Sequence, residues 1–387
     1  MNDEYSKLGV SSSKAGLHKA LEASGTEDKS GLFAQVIPDL AGSKDHSCFV
    51  HCDGAGTKCI IPYLYWKETG DKSLFANLAQ DALVMNLDDI YCIGEPQSMV
   101  LANLVARNAS LIDDEILETL IRSYKNLVET LQQQGIEIKL SGGETADCGD
   151  TVRTLLVDAV VSGRIENKKL INTKNIKPGD VILGLSSTGK STYENQANSG
   201  IGSNGLTLAR HATLKNYYRD KHPEIVNPEL ESKYTYRGLF SVKDEPEGLG
   251  MDIGQALASP TRTYAPFLKA LYSQAFTEVS GVIHCTGGGQ TKVKKFGSNN
   301  LYVKDNLFPT PKLFSLIQQS GQVPWNEMYQ VFNMGHRMEV YIKCGAAEAA
   351  IKLAKSFGIE AKVVGRVEKS EGGNSVLVKG EHGEFRY

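Results

Sequence analysis

Six consecutive residues, Asp53-Gly54-Ala55-Gly56-Thr57-Lys58, place a carboxylate, an open stretch of backbone and an ammonium directly after the strand-like run 47–52. The combination suits a magnesium-bound phosphate. Aspartate takes the hard cation, glycine lets N–H groups approach phosphate oxygens, and lysine offsets their charge. The same spacing also describes a hairpin turn with a solvated Asp and Lys. Three further acids, Asp81, Asp88 and Asp89, fall at i, i+7 and i+8 of one predicted helix, so at about 100° per residue they share a flank. Leu78, Leu83, Val84, Met85 and Ile90 make that helix otherwise apolar, and acids placed there need a cation or hydrogen-bond donors. Glu144, in the loop Gly142-Gly143-Glu144-Thr145-Ala146 after the run 136–140, can bring another carboxylate to the same ion. Thr286-Gly287-Gly288-Gly289 follows the run 282–285 and suits either a phosphate at a helix N-terminus or a tight turn. His284 before it reads more readily as a core histidine than as a base.

One match is textually sharper. Gly184-Leu185-Ser186-Ser187-Thr188-Gly189-Lys190-Ser191 fits G-x-x-x-x-G-K-[ST] after a strand-like run, as a P-loop does. A P-loop opens a long helix, whereas 192–205 holds three glycines, three asparagines and no helical apolar period. The acidic run Leu155-Leu156-Val157-Asp158 precedes the loop instead of following it, so the P-loop reading is disfavoured.

The elements that position these residues follow from apolar periodicity. Recurrence every three or four residues predicts helices over about 72–93, 112–134, 204–215, 260–275, 311–319 and 346–357. Strands are predicted at about 47–52, 97–106, 136–140, 152–164, 180–185, 280–285, 336–343 and 361–368. Neighbouring strands mixed with isolated helices indicate an α+β fold, with mixed or antiparallel sheets and helices packed on them. A turn-rich polar break at 167–180 sets a boundary near 168, giving domains 1–167 and 168–387, and the polar stretch 217–250 reads as an excursion on the second.

With 387 residues, 41% of them apolar, 22% charged and a net charge of −3, the chain has the composition of a soluble globular enzyme. No run approaches the ~18 apolar residues of a membrane span. No Lys/Arg tract offers a footprint for a nucleic-acid backbone, so neither membrane nor nucleic acid is an expected partner. Seven cysteines form no C-x-x-C pair, and the opening MNDEYSKLGV lacks an apolar leader core; together these predict reduced thiols in the cytoplasm.

Taken in order, the motifs resemble those of the aminoimidazole ribonucleotide synthetase family, also called the phosphoribosylformylglycinamidine cyclo-ligase family. The likeness covers nearly the whole chain. It runs from Tyr5-x-x-x-Gly9-Val10 through the D-G-x-G-T-K loop at 53–58, Asp88-Asp89 with Gly94-Glu95-Pro96, and G-G-E-T-A at 142–146. It continues through Pro260-Thr261-Arg262, Thr286-Gly287-Gly288-Gly289, Met328-Tyr329 and Phe332-Asn333-x-Gly335. Four departures stand out. The early glycine-rich loop is reduced to Gly31-Leu32-Phe33-Ala34, and Gly202-Ser203-Asn204-Gly205 stands where the family pattern is H-S-N-G. Asp88 replaces an asparagine, and Lys190 falls in an extra stretch, about 188–199.

The resemblance implies a two-domain α+β fold of the synthetase type, with a first-domain sheet that pairs with its counterpart in a homodimer and a cleft between domains. It implies ATP-dependent closure of formylglycinamidine ribonucleotide to aminoimidazole ribonucleotide, with release of ADP and phosphate. It further implies magnesium ligands at Asp53, Asp89 and Glu144, with Asp88 as an additional candidate. ATP contacts fall to Gly54, Gly56, Thr57, Lys58 and Thr145. Substrate or phosphate contacts fall to Ser203, Asn204, Thr286, Gly287 and Gly288, then to Thr261, Arg262 and Asn333. Lys58, Asp89, Glu144 and His284 stand at the chemistry. The substrate's own amidine nitrogen is a tethered nucleophile, so positioning and charge stabilisation carry the reaction and no protein nucleophile is required. Another ATP-dependent enzyme of the same superfamily, and a nucleotide-binding member without turnover, are the alternatives.

Overall fold

The computed structural model describes residues 3–10, 15–24 and 30–387. Met1 and Asn2, part of the opening in which no leader was read, lie outside the described residues. Extended runs in the first half build a five-stranded sheet from β1 (Ile37–Pro38), β2 (His46–Gly54), β3 (Gly94–Arg107), β4 (Ile138–Asp147) and β5 (Leu155–Leu170), in the order β1-β2-β5-β3-β4. β3 and β4 pair in parallel and the other pairs are antiparallel. The helices of this half are α1 (Ala15–Ser24), α2 (Ile60–Thr69), α3 (Ala76–Tyr91) and α4 (Asp114–Gln133). α3 buries Leu78, Leu83, Leu87 and Ile90 against the sheet, and α4 packs on α3 and β4. α4 starts where the Asp113 carboxylate caps the Ile116 N–H at 3.1 Å, with Asp114 and Glu115 favourably placed at the positive end of the helix. The opposite face of the sheet is open, with Val50 at 62% and Val100 at 38% exposure.

The second half forms a seven-stranded sheet. Its elements include β6 (Asp180–Ser186), the small ladder β7 (Thr188–Gly189) with β8 (Asn198–Ser199), β9 (Val279–His284), β10 (Asn300–Lys304), β11 (His336–Lys343), β12 (Ala361–Lys369), β13 (Ser375–Gly380) and β14 (Gly383–Arg386). The order β14-β13-β10-β12-β6-β11-β9 is antiparallel except between β10 and β13. Helices α5 (Leu206–Thr213), α6 (Tyr217–Lys221), α7 (Ile253–Leu257), α8 (Ala265–Ala275), α9 (Lys312–Gly321), α10 (Trp325–Val331) and α11 (Ala347–Ser356) belong to this half. The two mixed sheets bear out the α+β expectation. α3 is the seam, touching both its own sheet and α8 and β9 of the second half. No helix among the described residues is long and apolar enough to cross a membrane, and all seven cysteines are free thiols.

Three local expectations change. G-G-E-T-A is strand and not loop: β4 continues to Asp147 in parallel with β3, and a Cβ at Gly143 would stand 2.3 Å from the Asn103 carbonyl oxygen. The helix predicted from 260 begins only at Ala265, because 260–264 is drawn out by contacts to α3 and Pro266 suits the first turn that follows. The excursion 217–250 is firmly packed, burying Tyr218, Ile225, Tyr236 and Val242, and Glu224 accepts the Tyr63 hydroxyl of α2 at 2.6 Å.

Candidate active site at the seam between the sheets

The three acids of α3 share a flank that faces the second half, and each finds a different partner there. Asp81 is fully buried, and its Oδ1 accepts from Lys58 Nζ at 2.7 Å, from the Thr261 N–H at 2.8 Å and from the Thr261 hydroxyl. Lys58 is equally buried and also donates to the Ser259 carbonyl. Burial pulls its ammonium below the usual range while Asp81 pulls it back up. The expectation that Lys58 meets ATP phosphates is therefore corrected: its donors are turned inward and join the two halves.

Asp88, also fully buried, accepts from the Thr263 hydroxyl at 2.6 Å and from the Tyr264 N–H at the entry to α8. With its oxygens spent on those donors it is not presented to an ion, which corrects its place among the magnesium ligands. Burial raises its pKa from 3.8 to about 7, against the pull of the Thr263 hydroxyl. A folded-state value above the unfolded one means that the folded protein holds the extra proton between about 4 and 7, so this group's contribution to stability falls as pH rises through that window. Asp88→Asn is accordingly expected to stabilise, and to stabilise more at pH 8 than at pH 5, by about 2 kcal/mol in paired thermal melts.

Asp89, 8% exposed, lies between His51 of the first half and His284 of the second. Its Oδ1 accepts from His284 Nδ1 at 2.7 Å and its Oδ2 lies 3.6 Å from His51 Nε2. Burial raises this carboxyl, but the His284 hydrogen bond and the charge of Lys292 outweigh it and hold the pKa low. His284 is fully buried, and burial drives its pKa down to about 4 despite Asp89. Arg337 Nε lies 3.2 Å from His284 Nε2. Arginine can only donate, so the neutral imidazole carries its proton on Nδ1, toward Asp89.

At the rim, Asp53 Oδ1 accepts the Gly54 N–H at 2.7 Å, and across the ladder Gly54 pairs with Asp158. A Cβ at position 54 would fall 1.6 Å from Asp158 Oδ1 and 2.8 Å from the Val157 carbonyl oxygen, and the backbone oxygen cannot swing aside, so glycine is needed here. Asp158 is raised above the usual carboxylate range, first by burial and then by the charge of Asp53. Two mutually repelling carboxylates flanking Gly54 are a donor set that fits a hard cation. Glu144 is elsewhere. Residues 54, 158, 104 and 144 form one row across β2, β5, β3 and β4, so three strand spacings, about 14 Å, separate Glu144 from the Asp53 loop. Within one chain Glu144 and Asp53 do not share an ion. Among the described residues no three His, Cys, Asp or Glu side chains cluster as ligands. Thr145 lies beside Glu144 and both are exposed.

Gly56, at φ 54°, opens the turn that brings the Thr57 hydroxyl to 2.9 Å from Thr207 across the seam. On the second half, Ser203 Oγ lies 3.2 Å from Thr261 Oγ1, and Asn204 Oδ1 is buried without a partner. Thr286 Oγ1 accepts from Lys292 Nζ, and the left-handed Gly288 (φ 101°) turns the chain after Gly287. Two expected substrate contacts are braces. Arg262, fully buried, uses Nε and Nη2 in a fork on Glu194 at 2.9 and 2.6 Å and spends its remaining bonds on the carbonyls of Ser186, Thr188 and Gly189. Asn333 accepts from Ser187 Oγ and the Gly335 N–H and donates to the Gly200 carbonyl. The P-loop-like segment is thus tied down by carbonyls and continues into β7, and no helix opens after it. Sequence reasoning missed His51, Lys292 and Arg337 and considered Asp158 only as a P-loop partner. The available signal was that His51 and Asp53 are i and i+2 on one strand.

Both halves match a described family: AIR synthase related protein, N-terminal domain, over residues 33–165, and its C-terminal domain over 177–378. The chain is 31% identical over 338 residues to phosphoribosylformylglycinamidine cyclo-ligase of Methanocaldococcus jannaschii, covering 87% of this chain and 83% of that protein. With the protein of the same name from Thermoanaerobacter sp. (strain X514) it shares 29% identity, covering 89% and 88%. Solved structures show the same fold. Thiamine monophosphate kinase from Aquifex aeolicus superposes with a TM-score of 0.52 at 10% identity, over 93% of this chain and 96% of that one. PurL of Thermotoga maritima complexed with ATP gives 0.50 at 13% identity, over 92% of this chain and 45% of that one, so the chain spans about half of that protein's length.

Proposed function

The chain belongs to the AIR synthase related family, and from that membership we propose that it closes the imidazole ring of formylglycinamidine ribonucleotide at the expense of ATP, releasing ADP and phosphate, in purine biosynthesis. One observation carries the reading: relatives named phosphoribosylformylglycinamidine cyclo-ligase align through both halves of the chain.

In this reading the amide oxygen of the substrate takes the γ-phosphoryl group and is then displaced by the amidine nitrogen of the same molecule. Nucleophile and electrophile are already joined, so the protein's task is to hold them and to meet developing charge. The Gly54 and Ala55 N–H groups are spent on Asp53 and the Val157 carbonyl, so the N–H groups of Gly56 and Thr57 are the ones that face the nucleotide phosphates. Asp53 and Asp158 would hold a magnesium ion, and the chemistry that ion would supply is neutralisation of phosphate charge. Lys292, with Thr286 and Gly287 beside it, supplies the cation on the second half, and Ser203 and Asn204 orient the substrate. Asp89, fixed by His284, sits between the two groups and accepts a hydrogen bond from the amidine. Lys58 and Asp88 act from beneath, keeping the halves in register.

The open face of the first sheet, with Val50 and Val100, is read as the contact of a homodimer. Glu144 lies on that face and enters the site only in such a pairing, whereas Thr145, the next residue of β4, points to the opposite face. The compartment is read as the cytoplasm, in keeping with the free thiols. The test is the purified protein with ATP, magnesium and formylglycinamidine ribonucleotide. Aminoimidazole, followed by diazo coupling, and ADP are expected in a 1:1 ratio. ADP without aminoimidazole would assign the fold to a different acceptor.

A further inference from the structure

Position 202 has no side chain where the family pattern has histidine, and the space is filled by Arg337, from β11 of the same half. A Cβ on Gly202 would stand 3.4 Å from Arg337 Cδ, 3.5 Å from Nη1 and 3.9 Å from Nε. The backbone at 202 is outside the left-handed region, so its conformation does not demand glycine. A Cβ alone fits there at ordinary contact distance, but a histidine ring reaches several ångströms beyond its Cβ, toward volume that Arg337 already occupies.

Arg337 is 1% exposed, and two of its three nitrogens are committed. Nε donates to His284 Nε2 at 3.2 Å, Nη2 donates to the Arg262 carbonyl, and the guanidinium lies over the Tyr264 ring. Nη1, the nitrogen beside Gly202, is buried with no partner. Gly202, Asn204, Cys285, Asn333 and Arg337 line a cavity of about 10 Å³. Asn204 Oδ1, also buried and unpartnered, belongs to the same lining. An unpaired donor and an unpaired acceptor around a space of one water's size define a group that accepts from the first and donates to the second. Water satisfies both.

We propose that Arg337 replaces the side chain missing at 202 as a positioning residue. Through Nε it keeps His284 in the tautomer that holds Asp89, and through Nη1 and one bridging water it sets Asn204 and the adjoining Ser203. The pair Gly202 and Arg337 is therefore one unit: neither a histidine at 202 nor the loss of Arg337 is tolerated alone.

The role in turnover rests on the cyclo-ligase reading, whereas the packing of the pair does not, so the test measures both. The proteins compared are wild type, Gly202→His, Arg337→Gly, the double variant, and Arg337→Met, which keeps length and loses the donors. Each is assayed for Tm and for kcat and KM with formylglycinamidine ribonucleotide. Gly202→His and Arg337→Gly each lower kcat by about 10–100-fold, the range for residues that orient a catalytic group, and the double variant recovers most of that loss. Arg337→Met lowers kcat with KM for ATP unchanged. Gly202→His lowers Tm, and adding Arg337→Gly restores it. A double variant no better than the two single losses combined overturns the proposal, as does an Arg337→Met enzyme with wild-type kcat. A wild-type protein that forms no aminoimidazole overturns the functional reading instead, and the recovery of Tm in the double variant then decides the pairing.

Discussion

Replacing Lys58 by alanine destabilises the protein by about 3–5 kcal/mol instead of merely weakening ATP binding, because it strands the Asp81 carboxylate in a fully buried site. Asp81 Oδ2 already lacks a partner, and Oδ1 takes Lys58 and two donors from Thr261, so no solvent stands ready to take up the charge. The same change also frees the Ser259 carbonyl, a further tie between the halves. Lys58→Met combined with Asp81→Asn removes both charges while leaving an acceptor for the Thr261 N–H, and recovers most of the lost stability. Denaturant melts of the three variants distinguish the cases. A Lys58→Ala protein that melts like wild type and differs only in its KM for ATP would return Lys58 to the phosphates.

Asp53→Asn and Asp158→Asn behave in the opposite way. Each is expected to lower kcat/KM by about 10²–10³-fold and to raise the magnesium concentration needed for half-maximal rate, since a metal that stabilises transition-state charge contributes several kcal/mol. Neither lowers Tm. Asp158 is pushed up by burial and by Asp53, so removing one of the two charges relieves repulsion in the free protein. The readout is a magnesium titration of rate beside a melt of the free protein. A rate insensitive to both changes would move the cation away from Gly54.

Elements with strong local period were legible: α3 and α4 differ from the predicted 72–93 and 112–134 only at their ends. β10, β13 and β14 were not, because these short strands are defined by pairing between distant segments and carry little alternation of their own. Distance in the chain also hid the fate of several site residues. The type and spacing of Lys58, Arg262 and Asn333 suggest ligand contact, yet their bonds go to carbonyls and hydroxyls contributed by remote loops, and burial decides the outcome. The shared flank of Asp81, Asp88 and Asp89 was visible, as was their need for a cation or donors. For the first two the donors prevailed, supplied by the 261–264 segment whose extended form no local pattern announces. Glu144 was misplaced for a related reason: a motif read as a loop was a strand, and its parallel register with β3 carries it three strands from Asp53. The departure at Gly202 was plain in the sequence, but its counterpart Arg337 became visible only once β11 lay beside β9.

The central claim is that ATP activates the amide oxygen of the substrate for attack by its own amidine nitrogen. Its most direct test is a single turnover with formylglycinamidine ribonucleotide labelled with ¹⁸O at the formyl oxygen, followed by mass analysis of the phosphate released. Phosphate carrying the label in step with aminoimidazole formation is the expected result. Unlabelled phosphate, with the heavy oxygen left in water or in unreacted substrate, would contradict it.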